Sequence, residues 1–551
     1  IICMEYYAKS KKVQFTSERI NEIKKNMKNI EECLKENLTE TDVEILNSSI
    51  TDIAEKTEEK QKTLKEHHKD IVTCAEMFFL EYGEYFTEKE KKLVVEACRI
   101  HDLGKVNLVF QAMICPKLAE KFHIDVRKTP QIPHGFLSAV TISLDEFDDL
   151  SELFSDKDFG PFITAVYYHH DREDHYNSPA IRKYAEKYYM KQIEEYLNRK
   201  IRKLNCSNLD DLLFRNNVYT GKYIPDSNAW KEYLLIKGLL NKFDYIVSAG
   251  YENAESVIDL HEKKLVKNIE KFLNGKELRP AQKFMKMNRD KNLIVIAPTG
   301  SGKTEASLLW MNGEKSFYTL PLKVSSNAIY LRIKENYEYK DVALLHSDAM
   351  AVYLREYNGN EDIGEKYERS KMLSQPLTVC TVDQLFRFVY RALGTEIFAA
   401  TLKYSKLVLD EIQAYEPRVI ATIIYGLKMI QEMGGKFAII TATFPPVLKY
   451  FMEQYGLVEG KQYIFKDFTG KEYQVEKYPR HKVEIRHSEM NLDEIRLRGK
   501  NRKVLVICNT VSKAQKLYKK LEGENVWLLH SKYIRRDRAF LERKIMGFSE
   551  S

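Results

Sequence analysis

The sequence contains no uninterrupted run of about 18 apolar residues, so no segment of it is expected to span a membrane as a helix. Its first residues, IICMEYYAKSKK, lack the apolar core of a signal peptide, and its eight cysteines include no Cys-x-x-Cys pair. Scattered thiols point to a reduced, cytoplasmic protein and away from a thiolate zinc site. Charge of one sign is scarce as well. A formal +7 over 551 residues permits nucleic acid as a partner without requiring it. The remaining composition, 44% hydrophobic and 30% charged, is that of a globular enzyme, and the length predicts roughly two to four domains.

The most informative stretch is NLIVIAPTGSGKTEASLL, residues 292–309. Leu293 to Ile296 read as a short buried strand, followed by a glycine-rich turn and a helix from Lys303. Strand, glycine loop and helix are the setting of a phosphate site, because backbone N–H groups and the helix N-terminus both face a bound anion. Gly300 and Gly302 shape the loop, Lys303 reaches the β- and γ-phosphates, and the Thr304 hydroxyl meets Mg²⁺. Ala297 stands where the first glycine is expected, a variant that resembles superfamily-2 helicases. ATP with Mg is the expected ligand.

Histidine is unevenly spread: eight of thirteen fall between His67 and His175. His67 and His68 lie near the start of a helix whose Ile71, Cys74, Ala75, Phe78 and Phe79 share a face. Thr87 and Glu90 read as a capping box opening a second apolar helix. That helix runs into His101-Asp102-Leu103-Gly104-Lys105, where Gly104 is read as a helix stop. His134 follows in QIPHGFLSAV, His169-His170 end another apolar helix, and Asp244 puts a charge on an apolar face. Neighbouring helical residues diverge by about 100°, so each paired motif can serve two centres. Asp102 could bridge two ions through its two oxygens. Imidazole with carboxylate favours Mn, Fe, Co, Ni or Zn over Mg, and two such ions can clamp a phosphodiester for hydrolysis.

His67, HDLGK at His101 to Lys105, His134, His169-His170 and Asp244 resemble the HD superfamily of metal phosphohydrolases. The closer resemblance is to its nuclease branch, at the N-terminus of the CRISPR-associated helicase–nuclease of type I interference systems. Asn107, Phe110 and Gln111 after the motif, and the YYAKSKK opening, fit that branch. The resemblance implies His67, His101, Asp102, His134, His169, His170 and Asp244 as ligands of two transition-metal ions (Fe, Mn, Co or Ni). Asp102 and Lys105 become catalytic, with Lys105 near the scissile phosphate. Whether His67 or His68 turns inward stays open.

Residues 20–66 read as exposed helices and a flexible connection. Residues 176–240 read as long amphipathic helices whose tyrosine stripe serves packing or, alternatively, base stacking along single-stranded DNA. ENAESVIDLHEKKLVKN reads as a charged helical linker to the motor.

In the motor, Arg279 and Gln282 resemble the adenine-reading segment of superfamily-2 helicases, and SFYTLPLKVSSNAIYLR their first DNA-contacting motif. Thr381, Gln384 and Arg387 suit a phosphate backbone. KLVLDEIQ ends a strand in Asp410, expected to hold Mg²⁺ through water, and Glu411, expected to orient the attacking water. Gln413 replaces the family's usual histidine. Thr441 and Thr443 resemble the motif coupling ATP to DNA. RKVLVICNTVSKAQKLYKKL repeats the strand–loop–helix plan, LLHSKY at Leu528 echoes LLHSDA at Leu344, and Arg535, Arg536 and Arg538 resemble the corresponding family segment. Only about 70 residues follow Arg480, against the 150 or so of a whole lobe, so the second lobe is expected to be incomplete.

The expected fold class is multidomain: an all-α HD domain (1–255), a first α/β RecA-like helicase lobe with its linker (256–480), and the start of a second RecA-like lobe (481–551). The expected function is a CRISPR interference effector: a metal-dependent single-stranded DNA nuclease coupled to an ATP-driven 3′-to-5′ translocase. Its expected partners are single-stranded DNA and a crRNA-guided surveillance complex. Two other readings share these motifs: an HD nucleotide phosphohydrolase with a regulatory ATPase, and a DNA- or complex-binding module without ATP turnover.

Overall fold

A computed structural model describes residue 8 and residues 62–142, 159–170, 178–201, 228–355, 363–392, 394–473 and, with breaks, 483–547. The YYAKSKK motif apart from Ala8, residues 20–61, Arg535 and Arg536 lie outside the described residues. Residues 1–474 form one compact unit and 475–551 another. No helix among the described residues is long and apolar enough to cross a membrane.

The N-terminal half of the first unit is helical. Helix α1 (Leu64–Tyr82) and α2 (Glu88–Ile100) each open on a full capping box, Thr63 with Glu66 and Thr87 with Glu90. Each box satisfies two backbone donors that would otherwise lack partners, and a lost cap typically costs about 1 kcal/mol. Helices α3 (His134–Thr141), α4 (Phe159–Tyr167), α5 (Met190–Leu197) and the long α6 (Asn228–Ser248) follow, together with further helices at Leu108–Ile114, Pro116–Lys121 and Ser178–Tyr188. Of the tyrosine stripe, Tyr184 and Tyr189 are buried, and their hydroxyls reach Asn107 Oδ1 at 2.9 Å and Thr141 Oγ1 at 2.6 Å. Those two tyrosines pack the bundle.

Helix α7 (Pro280–Met287) leads into a seven-stranded sheet. Its strands are β1 (Leu293–Ile296), β2 (Ser316–Leu320), β3 (Val342–Leu345), β4 (Leu377–Thr381), β5 (Lys406–Asp410), β6 (Lys436–Thr441) and β7 (Ile464–Asp467). The order is β3-β4-β2-β5-β6-β1-β7, and every pairing is parallel. Strands β1 to β5 are buried along their whole length, as expected of a parallel sheet covered on both faces. Helix α8 (Lys303–Met311) follows β1, and α9 (Glu396–Lys403) precedes β5.

The two halves share a core. Phe78 and Tyr82 of α1 pack edge-on against Tyr404, with ring centroids 5.0 and 5.1 Å away. At Gly238, α6 presses against α9 so closely that a Cβ would stand 2.5 Å from Ala400 Cβ. The segment read as a charged helical linker is non-helical over residues 254–259 and carries two buried carboxylates. Glu255 accepts from Lys242 at 2.8 Å, Lys315 at 2.5 Å and the Tyr404 hydroxyl at 2.8 Å. Asp259 accepts from the backbone of Lys264 and Leu265, capping the helix Lys264–Leu273. Sequence spacing hid this because charged residues normally face water.

In the second unit, α10 (Leu492–Asn501) and α11 (Val511–Leu521) form, but the strand expected in RKVLVICN does not. Leu505 and Ile507 are 84% and 80% exposed. A strand without a hydrogen-bonded neighbour has nothing to hold it extended.

Candidate metal centre and nucleotide site

The metal-ligating candidates come from five separate segments and meet around one carboxylate. Asp102 is fully buried. Its Oδ1 faces His134 Nε2 at 3.2 Å and His169 Nε2 at 3.4 Å. Its Oδ2 faces His101 Nε2 at 3.4 Å, His67 Nε2 at 3.5 Å and Lys105 Nζ at 2.6 Å. Asp244 spans the same space from α6, with Oδ1 3.2 Å from His67 Nε2 and Oδ2 3.0 Å from His170 Nε2. Two donor groups result, His67-His101-Asp102 and Asp102-His134-His169-His170, sharing Asp102.

Whether such a set suits metal can be read from its unpaired atoms. Nε2 of His67, Nε2 of His101 and Oδ1 of Asp102 are buried without hydrogen-bond partners. The far nitrogens are held: His101 Nδ1 meets Cys98 O at 3.0 Å and His169 Nδ1 meets Val166 O at 2.6 Å. Donation to those carbonyls fixes the tautomer and leaves each Nε2 lone pair pointing inward, the usual support of a metal-bound imidazole. The residues fit a pair of divalent ions.

The electrostatics agree. Burial alone would raise Asp102, but His101 and Lys105 hold it well below the usual carboxylate range. Burial likewise opposes ionised Asp244, and the adjoining imidazoles of His170 and His67 outweigh it. Burial pushes His134 down to about 4 and His169 well below the ordinary imidazole value, so both are neutral donors near pH 7. Burial also opposes charge on His101, yet the adjoining Asp102 raises it.

Local geometry departs from the sequence reading in two places. Gly104 is no left-handed helix stop: α2 ends at Ile100 and Gly104 lies in a short 3₁₀ turn, Leu103–Val106. His169 and His170 lie just past α4, whose last residue is Tyr167, so helical divergence does not separate them. Asn107 anchors the turn by capping the next helix at Phe110 N and binding Gly104 O through Nδ2. Of the neighbours at the start of α1, His67 faces both carboxylates, whereas His68 Nδ1 pairs with the Tyr196 hydroxyl at 3.1 Å.

The nucleotide site lies at the carboxyl ends of the strands, where open parallel sheets bind ligands. Gly300 and Gly302 both take positive φ, +74° and +82°, which lets the loop curl into a cradle of backbone N–H groups. Arg279 donates to Gly300 O, and Gln282 Nε2 reaches Gly302 O at 3.3 Å. Lys303 Nζ lies 2.5 Å from Glu411 Oε1. Glu411 sits at φ +56°, a strained conformation for this residue. Burial raises Asp410, while Lys303 and Gln413 outweigh burial at Glu411 and lower it.

Gln413 joins two motifs. Its Nε2 donates to Glu411 Oε2 at 2.5 Å, and its Oε1 accepts from the Thr441 hydroxyl at the end of β6. The Thr443 backbone N–H donates to Thr441 Oγ1 at 3.3 Å. Thr381 is buried at the end of β4, while half-buried Gln384 and exposed Arg387 pair with each other at 3.1 Å. Tyr318, which sequence reading passed over, donates to Asp410 Oδ2 at 2.7 Å.

Three family models match the chain: the Cas3 HD domain over residues 54–241, the DEAD/DEAH box helicase over 280–451, and the C-terminal part of the CRISPR-associated nuclease/helicase Cas3 over 500–551. A Cas3 nuclease/helicase of Methanothermobacter thermautotrophicus is 25% identical over 87% of this chain and 65% of its own length. A Cas3 endonuclease/helicase of Escherichia coli K12 is 25% identical over 30% of this chain and 21% of its own. The chain thus spans less than two thirds of the curated relatives it matches. A T. fusca Cas3 crystal structure superposes with a TM-score of 0.50 at 18% identity, covering 72% of this chain and 50% of that one. A crystal structure of a CRISPR-associated protein gives 0.52 at 16% identity, covering 87% and 64%. These superpositions establish the fold: a helical HD domain followed by a parallel α/β helicase sheet.

Proposed function

We propose, for a chain that belongs to the CRISPR-associated nuclease/helicase Cas3 family, that its HD site cleaves single-stranded DNA and its motor feeds that site. The observation carrying this reading is the pair of histidine groups facing opposite oxygens of Asp102. A divalent pair (Mn, Fe, Co or Ni) bound there supplies Lewis acidity and the nucleophile for phosphodiester hydrolysis.

The chain's own residues prepare that reaction. Asp102 and Asp244 are held ionised, and His134 and His169 present neutral nitrogens to a common space. Lys105, buried beside Asp102, is the cation nearest the carboxylate and swings to a phosphate oxygen when DNA enters. In the motor, Lys303 leaves Glu411 for the β- and γ-phosphates of ATP, which frees Glu411 to orient water. Gln413 relays that change to Thr441. Thr381, Gln384 and Arg387 touch the DNA backbone, and Arg279 and Gln282 the nucleotide. Translocation runs 3′ to 5′ on DNA opened by a crRNA-guided surveillance complex.

The test is cleavage of circular single-stranded DNA with Mn²⁺, Co²⁺ or Ni²⁺, with and without ATP. Cleavage is expected to need metal and to vanish in Asp102→Asn. It should survive Lys303→Ala, since nuclease and motor chemistry occupy different sites. Intact circles under every metal would overturn the nuclease reading.

A further inference from the structure

Tyr318 is the middle residue of β2 and is completely buried. It pairs in register with Val408 of β5. Side chains two apart on a strand share a face, so Asp410 lies on that same face, one step nearer the carboxyl edge. Helix α8, which begins at the phosphate loop, supplies the other wall through Thr304 and Ser307.

The phenol has a reason to be there beyond filling space. Its O–H donates to Asp410 Oδ2 at 2.7 Å, while Asp410 Oδ1 is buried with no hydrogen-bond partner. One carboxylate oxygen is thereby fixed and the other kept free. The Thr304 and Ser307 hydroxyls lie beside the phenol, and Ser307 gives its own proton to Lys303 O at 3.0 Å. A hydroxyl carries one proton and two lone pairs. If Thr304 spends its proton inward on the phenol, its lone pairs face outward, which is the polarity a metal-ligating hydroxyl needs.

We propose that Tyr318 is a positioning residue for magnesium in the ATP site, setting the free oxygen of Asp410 and the lone pairs of Thr304 together. This rests on the reading of Thr304 and Asp410 as the magnesium partners of ATP. A leucine or phenylalanine at this place would fill the volume and orient neither group.

The measurement is binding of a fluorescent ATP analogue to the full chain in Mg²⁺ and in EDTA. The parent chain should bind more tightly in Mg²⁺. In Tyr318→Phe, binding in EDTA should stay within about twofold, while the Mg²⁺ enhancement falls by about tenfold, the usual worth of a hydrogen bond to a charged group. An unchanged enhancement would overturn the proposal. So would equal losses in Mg²⁺ and EDTA, the mark of a merely structural residue, and thermal melting without nucleotide separates that case. Asp410→Asn tests the underlying reading independently: an enhancement that survives it sinks the magnesium site itself. Combined with Tyr318→Phe, it should lose less than the two single losses added together, because Tyr318 acts through Asp410 as well as Thr304. An additive further loss would contradict the proposal even if the single Phe variant were destabilised.

Discussion

Gly104 lies against the backbone carbonyl of His134, where a methyl group would stand 2.0 Å from that oxygen. Ser138 closes the triangle, accepting from Gly104 N–H at 2.8 Å and donating to His134 O at 2.9 Å. The missing side chain thus lets the HDLGK turn touch the start of α3, bringing His134 to Asp102. Gly104→Ala is expected to destabilise the protein by about 1–3 kcal/mol, the range for overpacking against backbone. Mn²⁺ affinity should fall by at least about tenfold, because His134 must retreat. Urea unfolding and calorimetric metal titration measure the two effects. Parent-like metal binding would contradict this account of the glycine.

Gln413 cannot titrate as the usual histidine does, yet its amide serves both sides at once, donating to Glu411 and accepting from Thr441. Gln413→Ala and Thr441→Ala should leave ATP affinity within about threefold. Each should lower DNA-stimulated ATP turnover by roughly tenfold, or about 1.4 kcal/mol. The double variant should be no worse than either single, since both break one link. Additive losses measured in the turnover assay would show that the two residues act separately.

What was readable in the chain follows from how local each cause is. β1 and the helix at Lys303 were legible because an apolar run, a glycine loop and a helix N-terminus are contiguous. The histidines and carboxylates that meet around Asp102 were also legible as a candidate set, since histidines beside apolar helices stand out. Distinguishing His67 from His68 was not, because the answer depends on Asp244 and Tyr196, which lie far along the chain. Glu255 and Tyr318 were missed for the same reason. A buried carboxylate between two lysines and a phenol under Asp410 leave no periodicity. The second unit shows the converse: RKVLVICN has every local mark of a strand and lacks a paired neighbour among the described residues.

Glu255 is the counter-ion to two fully buried ammonium groups, Lys242 and Lys315, where α6, the helix carrying Asp244, meets the parallel-sheet half. Burial lowers both lysines, Lys315 to about 7. Glu255→Gln removes the carboxylate charge and strands the pair, so a loss of about 3–5 kcal/mol is expected. Adding Lys242→Met and Lys315→Met should restore much of it, because apolar groups need no counter-ion. Chemical denaturation of the three proteins decides this. Equal stability of parent and Glu255→Gln would mean that the network contributes nothing.

His68 provides one acid-sensitive element of the metal-free fold, beside His134 and His169. Burial, reinforced by His101, pushes it from 6.5 down to about 3. Between those values the folded chain binds fewer protons at this site than the unfolded chain does. The contribution of neutral His68 is therefore complete above about pH 6.5 and is lost progressively as pH falls toward 3. One such group changes stability by at most about 1.4 kcal/mol per pH unit. His68→Asn keeps a polar group near the Tyr196 hydroxyl and cannot titrate. With chelator present, the parent is expected to lose about 2 kcal/mol more than the variant between pH 7 and pH 5, read from urea midpoints. Both proteins losing stability in parallel would place the acid sensitivity on another group.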